Sequence, residues 1–328
     1  MPVRISVAMA TYNGETFLAE QLRSIAAQGA APLELVVRDD GSSDDTLPIL
    51  RSFAAQAAFP VRILPPGPRL GFADNFLAAA DACEGDYVAF SDQDDVWLPH
   101  KLQTVSETIE KTQRPVIVVH SAQEVDSQLR PLPQQPAPYK RSHAARLKAD
   151  PMLPVRGFVV TVRRDAFGLT PHAARPHDTG ALSERVAHDV WAYHCANMLG
   201  SVVTLPDRLA LYRRHEASVT SERRDRDTSG LVERIRHADV DYLLRVARFF
   251  AEVAVLAPDA EARAVYRIYA EVLRSRTELY QPRSSLPHRV ARLRSMLAAR
   301  AANRAGEVLP VSTLVKDLMF SAIGPKAA

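Results

Sequence analysis

The chain has 328 residues, 47% of them hydrophobic and 24% charged, enough apolar material for one main domain with an appendage. A net charge of +3 is too small for a nucleic-acid binder, and two cysteines, Cys83 and Cys195, exclude a disulfide framework and suit a reducing compartment. No apolar stretch approaches membrane-spanning length, and Met1-Pro2-Val3-Arg4-Ile5 enters a strand-like run without a signal-peptide pattern, so a cytoplasmic protein is expected.

The first third alternates strands with helices. Ile5–Ala10 reads as a strand, and Phe17–Gln28 places Leu18, Leu22, Ile25 and Ala26 on one helical face. Leu33–Arg38 is a second strand, and Asp44-Asp45-Thr46 caps a helix carrying Leu47, Leu50 and Phe53. Val61–Leu64 is a third strand, followed by a helix through Phe72, Phe76 and Ala80, and Tyr87–Phe90 is the fourth. This rhythm predicts an α/β fold with a mainly parallel sheet and helices on both faces. Such sheets bind ligands at the carboxyl ends of their strands. Three polar clusters follow strands here: Thr11-Tyr12-Asn13-Gly14, Asp39-Asp40-Gly41-Ser42 and Asp92-Gln93-Asp94-Asp95. One cleft can collect all three.

Further strands are expected at Val116–His120, Phe158–Arg163, Val202–Leu205 and Leu209–Tyr212, a proline-rich loop from Arg130 to Pro138, and a helix over Arg185–Leu199. After the charge run Arg223-Arg224-Asp225-Arg226-Asp227 the pattern is helical, with Leu243, Leu244, Ala247 and Phe250, then Val265, Ile268, Tyr269 and Val272. The domain boundaries predicted are 1–222 and 223–328. Pro287 to Arg304 sets Val290, Leu293, Met296 and Leu297 against a basic face, which suits packing on the protein or a peripheral contact with an anionic membrane.

Three carboxylates at the end of a buried strand repel one another and desolvate badly. A hard cation, Mg2+ or Mn2+, resolves that conflict because it takes carboxylate oxygens and shares a nucleotide's phosphates. Asp95 has a competing role as cap to a helix starting near Pro99. Trp97 reads as packing, and Lys101 as a helix residue that is either solvated or steadies phosphate.

In order and spacing these segments resemble the inverting family 2 glycosyltransferases with the GT-A, Rossmann-like fold, over roughly Val3 to Thr220. The residues that carry the resemblance are Val7-Ala8-Met9-Ala10-Thr11-Tyr12-Asn13-Gly14, Val36-Val37-Arg38-Asp39-Asp40-Gly41-Ser42, Gly71-Phe72-Ala73-Asp74-Asn75-Phe76 and Asp92-Gln93-Asp94-Asp95-Val96-Trp97. With Lys101, His188-Asp189-Val190-Trp191 and Leu211-Tyr212-Arg213-Arg214-His215, the likeness is to bacterial rhamnosyltransferases that use dTDP-rhamnose in surface polysaccharide assembly.

The resemblance implies roles. Ala10, Thr11, Tyr12 and Asn13 hold the nucleotide, Tyr12 by stacking. Asp39 or Asp40 accepts the pyrimidine N3–H, and Asn75 lies near the nucleotide. Asp92, Gln93 and Asp94 meet the donor ribose and diphosphate, and Asp92 and Asp94 bind metal with His215 as a further ligand. Asp189 is the general base for the acceptor hydroxyl, with His188 the next candidate. Arg213 and Arg214 clamp diphosphate, and Gly157 lets the backbone approach the donor sugar. The partners implied are a nucleotide sugar, dTDP-rhamnose ahead of UDP-hexoses, and a saccharide acceptor on a lipid carrier. Two other classes compete: a sugar-1-phosphate nucleotidyltransferase, against which the loop Thr11-Tyr12-Asn13-Gly14-Glu15 lacks a glycine-rich basic turn, and a non-catalytic sugar-nucleotide binder.

Overall fold

The computed structural model describes residues 2–180, 183–215, 240–279 and 286–301. The charge run beginning at Arg223 and the predicted arginine Arg304 lie outside these residues. The chain divides into two compact units. One comprises Met1–Arg146, Pro154–His172 and Ala187–Glu222; the other comprises Leu147–Leu153, Ala173–Val186 and Arg223–Ala328.

The first unit is built on a nine-stranded mixed sheet. Its strands are β1 (Ile5–Thr11), β2 (Glu34–Asp39), β3 (Val61–Ile63), β4 (Tyr87–Ser91), β5 (Val96–Trp97), β6 (Ile117–Val125), β7 (Ser142–Ala144), β8 (Val160–Arg163) and β9 (Val202–Arg213). The order is β3-β2-β1-β4-β8-β6-β9-β5, with β7 on β9. The half β3-β2-β1-β4 is wholly parallel, whereas β8 runs antiparallel to both β4 and β6. Every residue of β1, β2 and β4 is buried, as expected for strands covered on both sides. The last registered pairs, Thr11↔Asp39 and Met9↔Ser91, bring the three polar clusters to one sheet edge.

The helices of this unit are α1 (Glu15–Ala26), α2 (Thr46–Ala54), α3 (Phe72–Asp81), α4 (Lys101–Lys111) and α5 (His188–Leu199). Leu18, Leu22 and Ile25 form the buried stripe of α1. Asp44 rather than Asp45 serves the start of α2, its Oδ1 accepting from the Thr46 N–H at 3.1 Å and hydroxyl at 2.6 Å. α4 starts at Lys101 after His100, with no side-chain cap, so the predicted capping by Asp95 does not occur.

Two other expectations are corrected. The separate strands at Val202–Leu205 and Leu209–Tyr212 are one strand, β9, which carries Pro206 across a register irregularity opposite Ser121. The predicted helix start at Arg185 moves to His188.

The second unit contains α6 (Val240–Leu256), α7 (Ala260–Leu279) and α8 (Leu286–Ala301). Ala247, Phe250, Val265, Tyr269 and Val272 are buried as their spacing suggests, Leu243 and Ile268 are half-buried, and Leu244 is 46% exposed against expectation. In α8 the expected apolar set splits: Leu293 and Met296 are buried, while Val290 and Leu297 lie outside at 36% and 46% exposure. The internal segment Ala173–Val186 is tied to α6 by Glu252, which accepts from the His177 N–H at 2.8 Å, and by Arg245, which donates to the Thr179 carbonyl at 2.6 Å. Among the described residues no helix is long and apolar enough to cross a membrane, and Cys83 and Cys195 are both free and buried.

Candidate active site

The end of β1 meets the end of β2. The Thr11 hydroxyl donates to Asp39 Oδ2 at 2.8 Å, and Asp39 also accepts from the Gly41 and Ser42 N–H groups and the Ser42 hydroxyl. Those four bonds use the lone-pair capacity of its carboxylate. Asp40 accepts three: Arg38 Nη1 at 2.8 Å and the Leu70 and Gly71 N–H groups at 2.7 and 2.8 Å. Burial would raise the Asp40 carboxyl, but the Leu70 N–H, Arg38 and the Gly71 N–H outweigh it and hold the group below the usual carboxylate range. Arg38 Nη1 also donates to Asn75 Oδ1 at 2.7 Å, and the Asn75 amide donates to the Thr11 carbonyl. Asn75 is therefore a brace behind the loop.

Ala10 is buried, whereas Tyr12 is 40% exposed with the Arg69 guanidinium 4.0 Å above its ring. Asn13 sits at φ 46°, a conformation asparagine tolerates, and its amide oxygen accepts the Ser43 N–H.

Beyond β4 the chain lays down four consecutive polar residues. Asp94 Oδ2 lies 2.8 Å from His215 Nε2, whose ring packs on Phe17. Gln93 pairs with the Tyr12 backbone. Asp95 is buried and accepts the Arg213 N–H at 3.0 Å. Asp92 keeps part of its surface open, yet burial, with Asp94 and Asp189 nearby, pushes its carboxyl up to about 8. Burial comes first among the causes, and the neighbouring carboxylates add to it.

Lys101, read as either solvated or steadying phosphate, and Arg213, expected to clamp diphosphate, are both buried in structural contacts. Lys101 is fully buried, donates to the Phe158 carbonyl at 2.7 Å and lies 3.5 Å from the Trp97 ring centroid. Arg213 is 2% exposed and donates to the Asp94 and Ser127 carbonyls and to Glu20. Arg214, half-buried, lies near the Tyr212 ring.

Among the described residues no three His, Cys, Asp or Glu side chains converge as a cage for a metal. Asp94 and His215 do converge, with Asp92 two residues before Asp94, so the donor set fits a cation that takes its remaining ligands from phosphate and water.

His188 and Asp189 open α5 and differ sharply. His188 is 3% exposed, stacked on Phe76 at 4.1 Å and edge-on to Phe90 at 4.6 Å. A Cβ at Gly157 would meet its Nε2 at 2.6 Å, so the need for glycine there comes from His188. Asp189 is half-buried in the first turn of α5, where the helix dipole favours negative charge. Its charge adds, after burial, to what raises the carboxyl of Asp92 and the phenol of Tyr139.

Sequence reasoning passed over Arg38, Arg69 and Glu20. Arg38 left a signal, a charge directly after the apolar run Leu35–Val37 that must find a buried partner; Arg69 and Glu20 left none.

The Glycosyl transferase family 2 model matches residues 6–168. An uncharacterized glycosyltransferase of Nostoc sp. is 29% identical over 261 residues, covering 74% of this chain and 77% of that protein. The dTDP-rhamnosyl transferase RfbG of Shigella flexneri is 39% identical over 99 residues, 29% of this chain and 34% of that one. Among solved structures, S. aureus TarS superposes with a TM-score of 0.54 at 17% identity, covering 99% of this chain and 93% of the other. The mannosyltransferase PcManGT from Pyrobaculum calidifontis, in complex with GDP-Man and Mn2+, superposes with a TM-score of 0.52 at 17% identity, covering 98% and 88%. The likeness in sequence and the likeness in fold agree: residues 6–168 are similar to glycosyl transferase family 2, and the chain has a GT-A-like fold.

Proposed function

We propose that the chain transfers a hexose, with inversion, from a nucleoside diphosphate sugar to a saccharide hydroxyl. The observation that carries this reading is the shared sheet edge: a nucleotide seat at Thr11–Asn13 and Asp39–Asp40, a carboxylate cluster at Asp92–Asp95, and a separate half-buried carboxylate, Asp189. Tyr12 stacks the base. Asp40 takes the pyrimidine N3–H, because its carboxylate has accepting capacity left that Asp39 lacks. Asp92, Asp94 and His215 face the diphosphate and would hold Mg2+ or Mn2+, which when bound neutralises charge growing on the leaving group.

Asp189 accepts the acceptor's hydroxyl proton as that oxygen bonds to the anomeric carbon from behind. The bond from that carbon to the diphosphate oxygen breaks, and its electron pair leaves with the nucleoside diphosphate. His188, enclosed by phenylalanines, is not placed for that work.

The donor we favour is dTDP-rhamnose, supported by the partial match to RfbG, with UDP-hexoses second. The acceptor is a lipid-linked glycan in polysaccharide assembly, extended at the cytoplasmic membrane face by a catalytic domain spanning 1–222. Incubation with dTDP-rhamnose, UDP-glucose and UDP-galactose, with and without Mn2+ and acceptor saccharides, tests this. Metal-dependent release of dTDP is expected. Release of UDP but not dTDP would overturn the donor, formation of nucleoside triphosphate and sugar 1-phosphate on addition of pyrophosphate would make the chain a nucleotidyltransferase, and binding without turnover a sugar-nucleotide binder.

A further inference from the structure

Gln93 stands between the two carboxylates of Asp92-Gln93-Asp94, and its side chain turns to the Tyr12 backbone. Its Oε1 accepts the Tyr12 N–H at 2.9 Å and its Nε2 donates to the Tyr12 carbonyl at 3.0 Å. A primary amide offers both a donor and an acceptor, and here it spends one of each on a single residue. The backbone ladder between β1 and β4 ends at the pair Met9↔Ser91. The amide therefore adds a rung beyond the point where main-chain pairing stops.

Gly14 makes room for that rung. A Cβ built there would lie 2.4 Å from Gln93 Oε1 and 2.6 Å from its Cδ. The backbone of Gly14, φ −105° and ψ 8°, is open to residues other than glycine, so the requirement is for space and not for conformation. The atoms met are the end of a flexible side chain. An alanine at 14 is accommodated only if the amide swings off Tyr12, and swinging off breaks both bonds.

We propose that Gln93 and Gly14 form a latch that sets the spacing between the base seat at Tyr12 and the diphosphate side at Asp92 and Asp94. Gln93 is a positioning residue that acts through the Tyr12 backbone. The inference rests on the functional reading above, in which Tyr12 carries the base and the carboxylates serve the diphosphate.

The test uses the full chain with Gln93→Ala, Gly14→Ala and the double variant. Donor KM and kcat, binding of the free nucleoside and of its diphosphate, and melting temperature are read for each. Each single variant is expected to raise donor KM about tenfold, the size of losing one or two neutral hydrogen bonds, with kcat changed less than about threefold. The double variant is expected to match Gln93→Ala, because both changes remove the same two bonds, and to melt no lower than Gly14→Ala, because the clash is gone. Affinity for the nucleoside diphosphate should fall while affinity for the nucleoside alone holds.

Multiplying effects, about a hundredfold in the double variant, would overturn the latch. So would a silent Gln93→Ala, or equal losses for nucleoside and nucleoside diphosphate. If Gly14→Ala unfolds the chain, restored melting in the double variant supports the latch and continued unfolding sinks it. A wild-type chain that binds no nucleoside diphosphate sugar at all would instead remove the functional reading, and the melting comparison would still judge the clash.

Discussion

Adjacent residues on α5 occupy different chemical worlds. His188 is held among Phe72, Phe76 and Phe90, while Asp189 is half-buried and keeps solvent access. Asp189→Asn preserves shape and removes the proton acceptor. We expect it to bind donor as the wild type does and to lose kcat by about 10²–10⁴-fold, the usual worth of a general base. Near-native turnover with an intact circular dichroism spectrum would remove the assignment. At this scale the sequence showed which polar residues gather at the strand ends, and it misjudged several of their duties. Lys101 and Arg213 look like phosphate ligands because cations beside aspartates usually meet substrate. The fold buries both, one against the Phe158 carbonyl and Trp97, the other against Glu20 and the Asp94 and Ser127 carbonyls. Burial of a charge depends on partners far off in the chain, and local spacing cannot show them.

Among the elements, Glu34 at the start of β2 joins four pieces of chain. It accepts from the Ser6 hydroxyl of β1 at 2.8 Å, from the Glu84 N–H before β4 at 2.6 Å, and from Arg62 of β3 at 2.8 Å. Burial alone would raise this carboxyl, but the Glu84 N–H, Ser6 and Arg62 together hold it below its usual value. The folded chain therefore favours the ionised form more than the unfolded chain does. That stability is complete above the ordinary carboxylate range and is lost as pH falls through the folded value. Glu34→Gln should cost about 1–3 kcal/mol near neutrality in urea unfolding, and the gap to wild type should close below about pH 4. A gap independent of pH would dismiss the charged role.

Elements with strong periodicity were legible, including β1, β2, β4 and the stripe of α1. The run through β9 was not, because Pro206 argues for a break and the strand instead carries it at an irregularity in its pairing with β6. β5, two residues long, is too short to leave a pattern.

For the whole molecule, the sequence marked the change from α/β to helix but not that the second unit borrows Leu147–Leu153 and Ala173–Val186 from inside the first stretch. No composition shift announces those segments, and the partners of His177 and Thr179 lie in α6. A chain ending at residue 222 would keep His177 and Thr179 but lack Glu252 and Arg245. Its melting temperature should fall by roughly 5–10 °C against the full chain, the sum of two or three lost charge-assisted bonds. Equal melting temperatures would show that Ala173–Val186 needs no helices.

The same borrowing imposes a waiting time during synthesis. His177 and Glu252 are 75 residues apart, and ribosomes add about 5–20 residues per second. For roughly 4–15 s the nascent chain therefore presents His177, Thr179 and their neighbours before α6 exists to receive them. A chaperone that grips this stretch has that interval in which to act.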